Sequence, residues 1–194
     1  LAPMIAELVQ CRVGLKILSN LSDRRVYRAF CKIPFSHLKG RGVAERIVEA
    51  FVFAKSDPYR AATHNKGIMN GVDPIAIATG NDWRAIEAGA HAFAAHSGCY
   101  KSLSRWWIDG DHLCGELDLP LQVGVIGGVT RIHPVAKAVL KILGNPSAKE
   151  LSYIMVSSGL AVNLSAMKAL ATTGIQEGHM KLHAKNLAYE IGAR

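Results

Sequence analysis

Cysteine is scarce and unpatterned. Cys11, Cys31, Cys99 and Cys114 show no C-x-x-C spacing and no cluster, which excludes a zinc knuckle and a disulfide framework and makes free thiols in a reducing compartment the expectation. Long apolar runs are missing as well. Glu87, Arg131, Lys137 and Lys149 interrupt the greasiest regions before any reaches the roughly 18 residues a membrane span requires. A soluble, cytoplasmic protein without a membrane partner is therefore expected. The chain opens at Leu1 with a helix already under way and shows no signal-peptide organisation, so it reads as a piece cut from something longer. Aromatics are few, at 7%, and do not interleave with the basic residues. The net charge of +8, with small groups from Asp23-Arg24-Arg25 to Arg28 and from Lys39 to Arg41, therefore reads as solvated surface and not as a single-strand nucleic-acid platform. No internal repeat or low-complexity tract is present.

What is present suffices for one moderate domain, or one domain plus a fragment of another: 194 residues, 49% of them hydrophobic. Residues 2–10 read as a short helix. Val13, Leu15 and Ile17 alternate with polar partners over 12–19, and a second alternating run covers 26–33 before Pro34; both predict strands. Val43, Ile47, Val48, Phe51 and Val52 recur at helical spacing over 42–55, with Asp57-Pro58 as a breaker. Asp82 is placed to cap a helix that runs to His96, and Asp109-Gly110-Asp111 predicts the turn of a β-hairpin within 104–119. Helices are expected from about Pro134 to Leu143, over 147–171 and over 179–191. The architecture predicted is mixed α+β, rich in helix.

The run His64-Asn65-Lys66-Gly67-Ile68-Met69-Asn70-Gly71 is the strongest functional signal, with Thr79-Gly80-Asn81-Asp82 following it. Lys66 sits among asparagines and glycines, where backbone can approach a ligand, so the segment reads as a site and not as core. Beside a carboxylate such as Asp82 the lysine stays cationic and can stabilise an oxyanion on a reacting carbonyl. A desolvated lysine would instead form a Schiff base. Arg60 can clamp a substrate carboxylate or serve as ordinary surface. His179 and His183 share a helix face, a spacing open to metal binding, acid/base work or packing, but no H-E-x-x-H pattern exists and no metal is expected. Gly124-Val125-Ile126-Gly127-Gly128-Val129-Thr130 precedes a helix and can cradle a phosphate, although it lacks the G-x-G-x-x-G fingerprint and reads alone as a tight turn.

Over 57–71, 78–95, 119–134 and 174–186 the sequence resembles 3-hydroxy-3-methylglutaryl-CoA (HMG-CoA) reductase of class II, the bacterial type. The resemblance implies reduction of HMG-CoA to mevalonate and CoA with two NADPH or NADH, or the reverse oxidation, in isoprenoid metabolism. Lys66 matches the catalytic lysine, Asp82 its hydrogen-bonded aspartate and His179 the histidine that protonates the departing CoA thiolate. Arg60 then binds the HMG carboxylate, and Asn70 is the polar residue beside the lysine. Asn20 matches an asparagine lining the cofactor site, with Gly124, Gly127, Gly128 and Thr130 as the active-site glycine element. Val162 departs from a common glutamine and Lys185 from a usual arginine.

The family's catalytic glutamate motif, E-N-x-x-G, and its D-A-M-G-x-N cofactor motif are absent from this stretch. The implied organisation is the end of a ferredoxin-like small cofactor domain over 1–19, the C-terminal part of a large substrate domain over 20–178, and the start of a flap domain over 179–194. A homodimer with an interface active site, and a hexamer built from it, are implied. A truncated, non-catalytic homologue serving as a binding or assembly partner is the alternative.

Overall fold

The structure, a computed structural model, describes residues 1–172, 187 and 189–192. It is α+β. Helix α1 (Ala2–Leu8) is followed by strand β1 (Val26–Pro34), a 3-10 turn at Phe35–Leu38, and helices α2 (Arg41–Ser56), α3 (Pro58–Ala78) and α4 (Trp83–Ala94). The hairpin β2 (Ser104–Asp109) and β3 (His112–Pro120) comes next, then α5 (Gly128–Ile132), α6 (Pro134–Ile142) and α7 (Ala148–Ala171). Most of these segments follow the sequence periodicity closely. The expected helix over 179–191 falls almost wholly outside the described residues.

The three strands form one antiparallel sheet in the order β1-β3-β2, with Val26 opposite Pro120 and Asp109 opposite His112. Period-two alternation divides its faces. Trp106, Leu113, Gly115 and Leu117 turn toward the helices, while Arg28, Lys32, Glu116 and Asp118 turn outward, where Arg28 forks onto Asp118 at 2.6 and 2.7 Å.

Helix α7 is the centre of the core, packed on α3, α2, β1 and β3. Ser147 and Glu150 form a reciprocal capping box at its start. It is also long and apolar enough, by length and composition, to cross a membrane. Its buried residues, Leu151, Met155, Val156, Leu160 and Met167 among them, are instead covered by the other elements. Glycine lets α7 approach α3 closely. A Cβ on Gly71 would lie 2.7 Å from the Ser158 carbonyl oxygen, and one on Gly159 would lie 3.1 Å from Leu117 and 3.2 Å from Ile68.

Two sequence expectations need correction. Residues 12–19 form no strand: they are almost entirely exposed and their backbone pairs with no other strand, and alternation without a hydrogen-bonded neighbour does not make a sheet. The Lys66 run, read as a site and not as core and with no helix expected there, is helical and largely buried. It lies inside α3, where His64, Asn65, Ile68, Met69 and Gly71 are buried and only Lys66 and Asn70 are exposed. Asp57-Pro58 ends α2 as predicted, and in the same two residues begins α3: Asp57 accepts from the Arg60 N–H at 2.7 Å and Pro58 takes the first turn.

Candidate functional site

The predicted site residues divide between two places. The first is α3. Lys66 and Asn70, four residues apart, share its exposed face. Pro74, inside the same helix, has no N–H to offer the Asn70 carbonyl, so Asn70 presents both a side-chain amide and a main-chain oxygen released from the helix ladder. Arg60 lies about 120° round the helix from Lys66 and is half-buried, which pulls its guanidinium below the ordinary arginine value. A hollow of about 310 Å³ lined by Pro58, Tyr59, Ala62 and Tyr100 opens at this end of α3, and neither Lys66 nor Asp82 lines it.

Behind the Lys66 face α3 is anchored by buried polar groups. Asn65 donates to the Lys101 carbonyl at 2.8 Å and accepts from the Leu103 N–H at 2.9 Å. His64 Nε2 lies 2.7 Å from Ser104 Oγ, and Asn163 Oδ1 accepts from Ser104 Oγ at 2.9 Å and from Trp106 Nε1 at 2.8 Å. Trp106 can only donate, so Oδ1 must face it, which turns the Asn163 Nδ2 amide toward His64 Nε2 at 3.2 Å. His64 Nδ1 has no partner. An imidazolium would carry an N–H on both nitrogens, one against the Asn163 amide and one at Nδ1 with nothing to accept it. Burial, and then the Arg60 charge, push His64 down to about 4.

This gives a stability prediction with a definite sign. The folded histidine titrates below its ordinary 6.5, so as the pH falls the unfolded chain takes up the proton first. The contribution of neutral His64 is complete above pH 6.5 and is lost toward pH 4, about 3 kcal/mol in full. Urea unfolding at neutral pH and near pH 4.5 should show a larger acid loss in wild type than in His64→Gln. Equal losses would refute the assignment.

The second place is the start of α4. Asp82 caps that helix, accepting from the Ala85 N–H at 3.1 Å with Arg84 Nε 4.0 Å away. In the preceding turn Asn81 donates to Thr79 Oγ1 at 2.9 Å and accepts from the Gly124 N–H at 2.8 Å. The glycine run is thereby tied to the turn that carries Asp82. Gly80, with φ +72°, presses against Val129, where a Cβ would come within 3.1 Å. Asn20 reaches the same place: Gln122 Nε2 donates to Asn20 Oδ1 at 3.5 Å and to the Ala85 carbonyl at 3.1 Å, and Gly89 of α4 makes room for the Asn20 carbonyl.

Gly127 caps α5 with φ +84°, Gly128 follows at φ +47°, and Thr130 Oγ1 donates to the Gly127 carbonyl, closing the turn. A Cβ on Gly124, Gly127 or Gly128 would meet nothing within 4 Å, so the strip is open to the close approach of a ligand.

The two places do not meet within one chain. From Lys66 to Ala76 is ten helical residues, about 15 Å of rise, and Asn81 folds back onto the Ala76 carbonyl at 2.8 Å, which leaves Asp82 at the far end of α3. No ion pair joins Lys66 to Asp82 among the described residues. His179 and His183 lie outside the described residues. Sequence reasoning missed the buried His64–Ser104–Asn163–Trp106 network and the contact between Asp73 and Glu87, because the partners are far apart in the chain. For Asp73 and Glu87 the available signal was a carboxylate on each of two successive helices.

Residues 1–184 match the family model described as hydroxymethylglutaryl-coenzyme A reductase. The chain is 50% identical over 193 residues to 3-hydroxy-3-methylglutaryl-coenzyme A reductase of Archaeoglobus fulgidus, covering 99% of this chain and 44% of that protein. It is 37% identical to a probable reductase of the same name from Borreliella burgdorferi, covering 97% and 46%. Among solved structures it matches the class II reductase of Streptococcus pneumoniae bound to NADPH in open conformations, with a TM-score of 0.85 and 52% identity, over 100% of this chain and 48% of that one. The chain thus spans about half the length of the relatives it matches. With a family model covering nearly its whole length, the chain belongs to the hydroxymethylglutaryl-coenzyme A reductase family, and its fold is that of the class II enzymes.

Proposed function

We propose that the protein carrying this chain reduces HMG-CoA to mevalonate and CoA with two NADPH or NADH, in an active site completed between two copies. One observation carries the second part: about 15 Å of helix rise separates Lys66 from Ala76, onto whose carbonyl the turn bearing Asp82 folds. A second copy that brings its α4 start to the Lys66 face makes the ion pair that a single chain does not.

In that arrangement the Lys66 ammonium donates to the thioester oxygen and holds it as negative charge develops, first toward the thiohemiacetal and then toward the primary alkoxide. Asp82 keeps the lysine charged and aimed. His179 gives its proton to the departing CoA sulfur as the C–S bond breaks, leaving the aldehyde for the second reduction. Arg60 pairs with the free carboxylate of the HMG moiety, a fork suited to bidentate recognition, and Asn70 hydrogen-bonds beside the reacting oxygen. The nicotinamide cofactor supplies the two hydrides. Asn20, Gly124, Gly127, Gly128 and Thr130 line the open strip at the Asp82 end, where uncovered backbone admits a phosphate-bearing ligand. The solved relative bound to NADPH supports the use of a nicotinamide cofactor. The domain limits proposed are 1–19, 20–178 and 179–194, with dimers able to build a hexamer.

Complementation tests the shared site. Full chains carrying Lys66→Ala or Asp82→Ala are each expected to be inactive in HMG-CoA-dependent oxidation of NADPH or NADH. Unfolded and refolded together in equal amounts, they should regain about one quarter of wild-type turnover, since half the dimers are mixed and one site in each is intact. No recovery from well-folded mixed dimers would place both groups in one chain's own site. Absence of wild-type turnover would favour the non-catalytic binding or assembly partner.

A further inference from the structure

Helices α3 and α4 share a contact that the chemistry above does not use. Asp73 lies seven residues past Lys66, which returns it to the same side of α3 two turns along. Its Oδ1 is shut off from solvent, and no N–H or O–H reaches it. The carboxyl of Glu87, in α4, stands within hydrogen-bonding reach of Asp73. Neither acid forms an ion pair with a cation among the described residues. Two ionised carboxylates can only accept, so in that state the contact is repulsive and Oδ1 stays unsatisfied. One proton between them converts it into a charge-assisted O–H···O hydrogen bond.

We propose that Asp73 and Glu87 share one proton and are positioning residues, a carboxyl clasp that sets the α3 face presenting Lys66 and Asn70 against the α4 start presenting Asp82. The positioning role rests on the reductase reading of those residues; the shared proton does not.

Burial, followed by the hydrogen bond and the charge of Glu87, pushes the Asp73 carboxyl up to about 7. Glu87 is the ionisable group that faces it from α4. Beyond Glu87 lies Tyr100, whose hydroxyl is pushed up by burial and by the Glu87 charge and meets His91 Nδ1 at 2.7 Å. The other helices packed on α3, namely α2, α6 and α7, bring no charged group that shifts Asp73 among the described residues. Because the folded carboxyl titrates above its ordinary 3.8, the clasp is complete below that pH and is lost as the pH rises through about 7. This slope opposes that of His64 over much of the same range.

The test is carboxyl carbon NMR of the full chain from about pH 4 to pH 9, with the pH profile of kcat measured beside it. One Asp–Glu titration step near pH 7 is expected in wild type and should vanish in both Asp73→Asn and Glu87→Gln. Asp73→Asn keeps a donor toward Glu87 at every pH, so it should also flatten the limb of the kcat profile near pH 7. The shared proton is overturned if both acids titrate below about pH 5, or if the step survives in both variants. The positioning role is overturned if the kcat limb persists in Asp73→Asn. A failed reductase reading looks different: the NMR step is present, while wild type shows no HMG-CoA-dependent turnover.

Discussion

Replacing Lys66 by alanine is expected to lower kcat for HMG-CoA-dependent NADPH oxidation by at least about 10³-fold, at the upper end of what removal of one oxyanion donor costs. A full positive charge acting on a developing alkoxide in a closed site is a stronger donor than a neutral amide. The unfolding midpoint should hardly move. Lys66 is exposed on α3 and forms no ion pair among the described residues, so alanine removes charge without opening a cavity and improves helix propensity slightly. Lys66→Arg keeps the charge but replaces a compact ammonium with a planar fork, and should recover only part of the rate. If Lys66→Ala kept more than about a tenth of the turnover, its assignment as the main electrostatic group would fail.

The largest structural effect is expected at Gly115. This residue lies on the core face of β3, opposite Trp106 in the hairpin register, and a Cβ there would overlap the indole ring. Trp106 cannot step aside cheaply. It is 1% exposed, and its Nε1 donates to Asn163 at 2.8 Å, in the network that also holds His64. Gly115→Ala should therefore cost about 3 kcal/mol, the upper range for overpacking a tight core, read as a lower urea midpoint at unchanged slope. Gly14→Ala is the control, since a Cβ there meets nothing within 4 Å, and should stay within about 0.5 kcal/mol of wild type. Equal effects at the two glycines would show that the indole relaxes freely. The damage at Gly115 should also reach activity, because the Trp106–Asn163–Ser104–His64 network anchors the back of the helix that presents Lys66.

The elements legible in the chain were those specified by neighbours a few residues apart. Asp82 caps α4 through Ala85, three residues on, and Ser147 with Glu150 caps α7 across the same interval. Asp109-Gly110-Asp111 turns the hairpin through Gly110, which takes φ +60°. The 12–19 run shows the limit of that logic, since alternation marks a surface able to pair but cannot supply the partner. The Lys66 run shows it from the other side. Its asparagines and glycines read as a site and not as core, yet Asn65 spends its amide on the Lys101–Leu103 backbone and Gly71 admits the Ser158 carbonyl.

The sequence by itself therefore determined the family, the limits of α2, α4, α6, α7 and the hairpin, and the identity of the chemical groups: a lysine, an aspartate and an arginine in the described part, and an open glycine strip. These rest on residue types at short spacing, where propensity, capping and turn geometry act. Only the tertiary structure decided where those groups stand. Ten residues of helix rise separate Lys66 from Asp82, core burial holds His64 neutral beside its site neighbours, and the folding of α4 against α3 brings two carboxyls together. Each is a long-range consequence of packing, because distance, desolvation and charge pairing depend on which surfaces meet and not on the order in which residues follow one another.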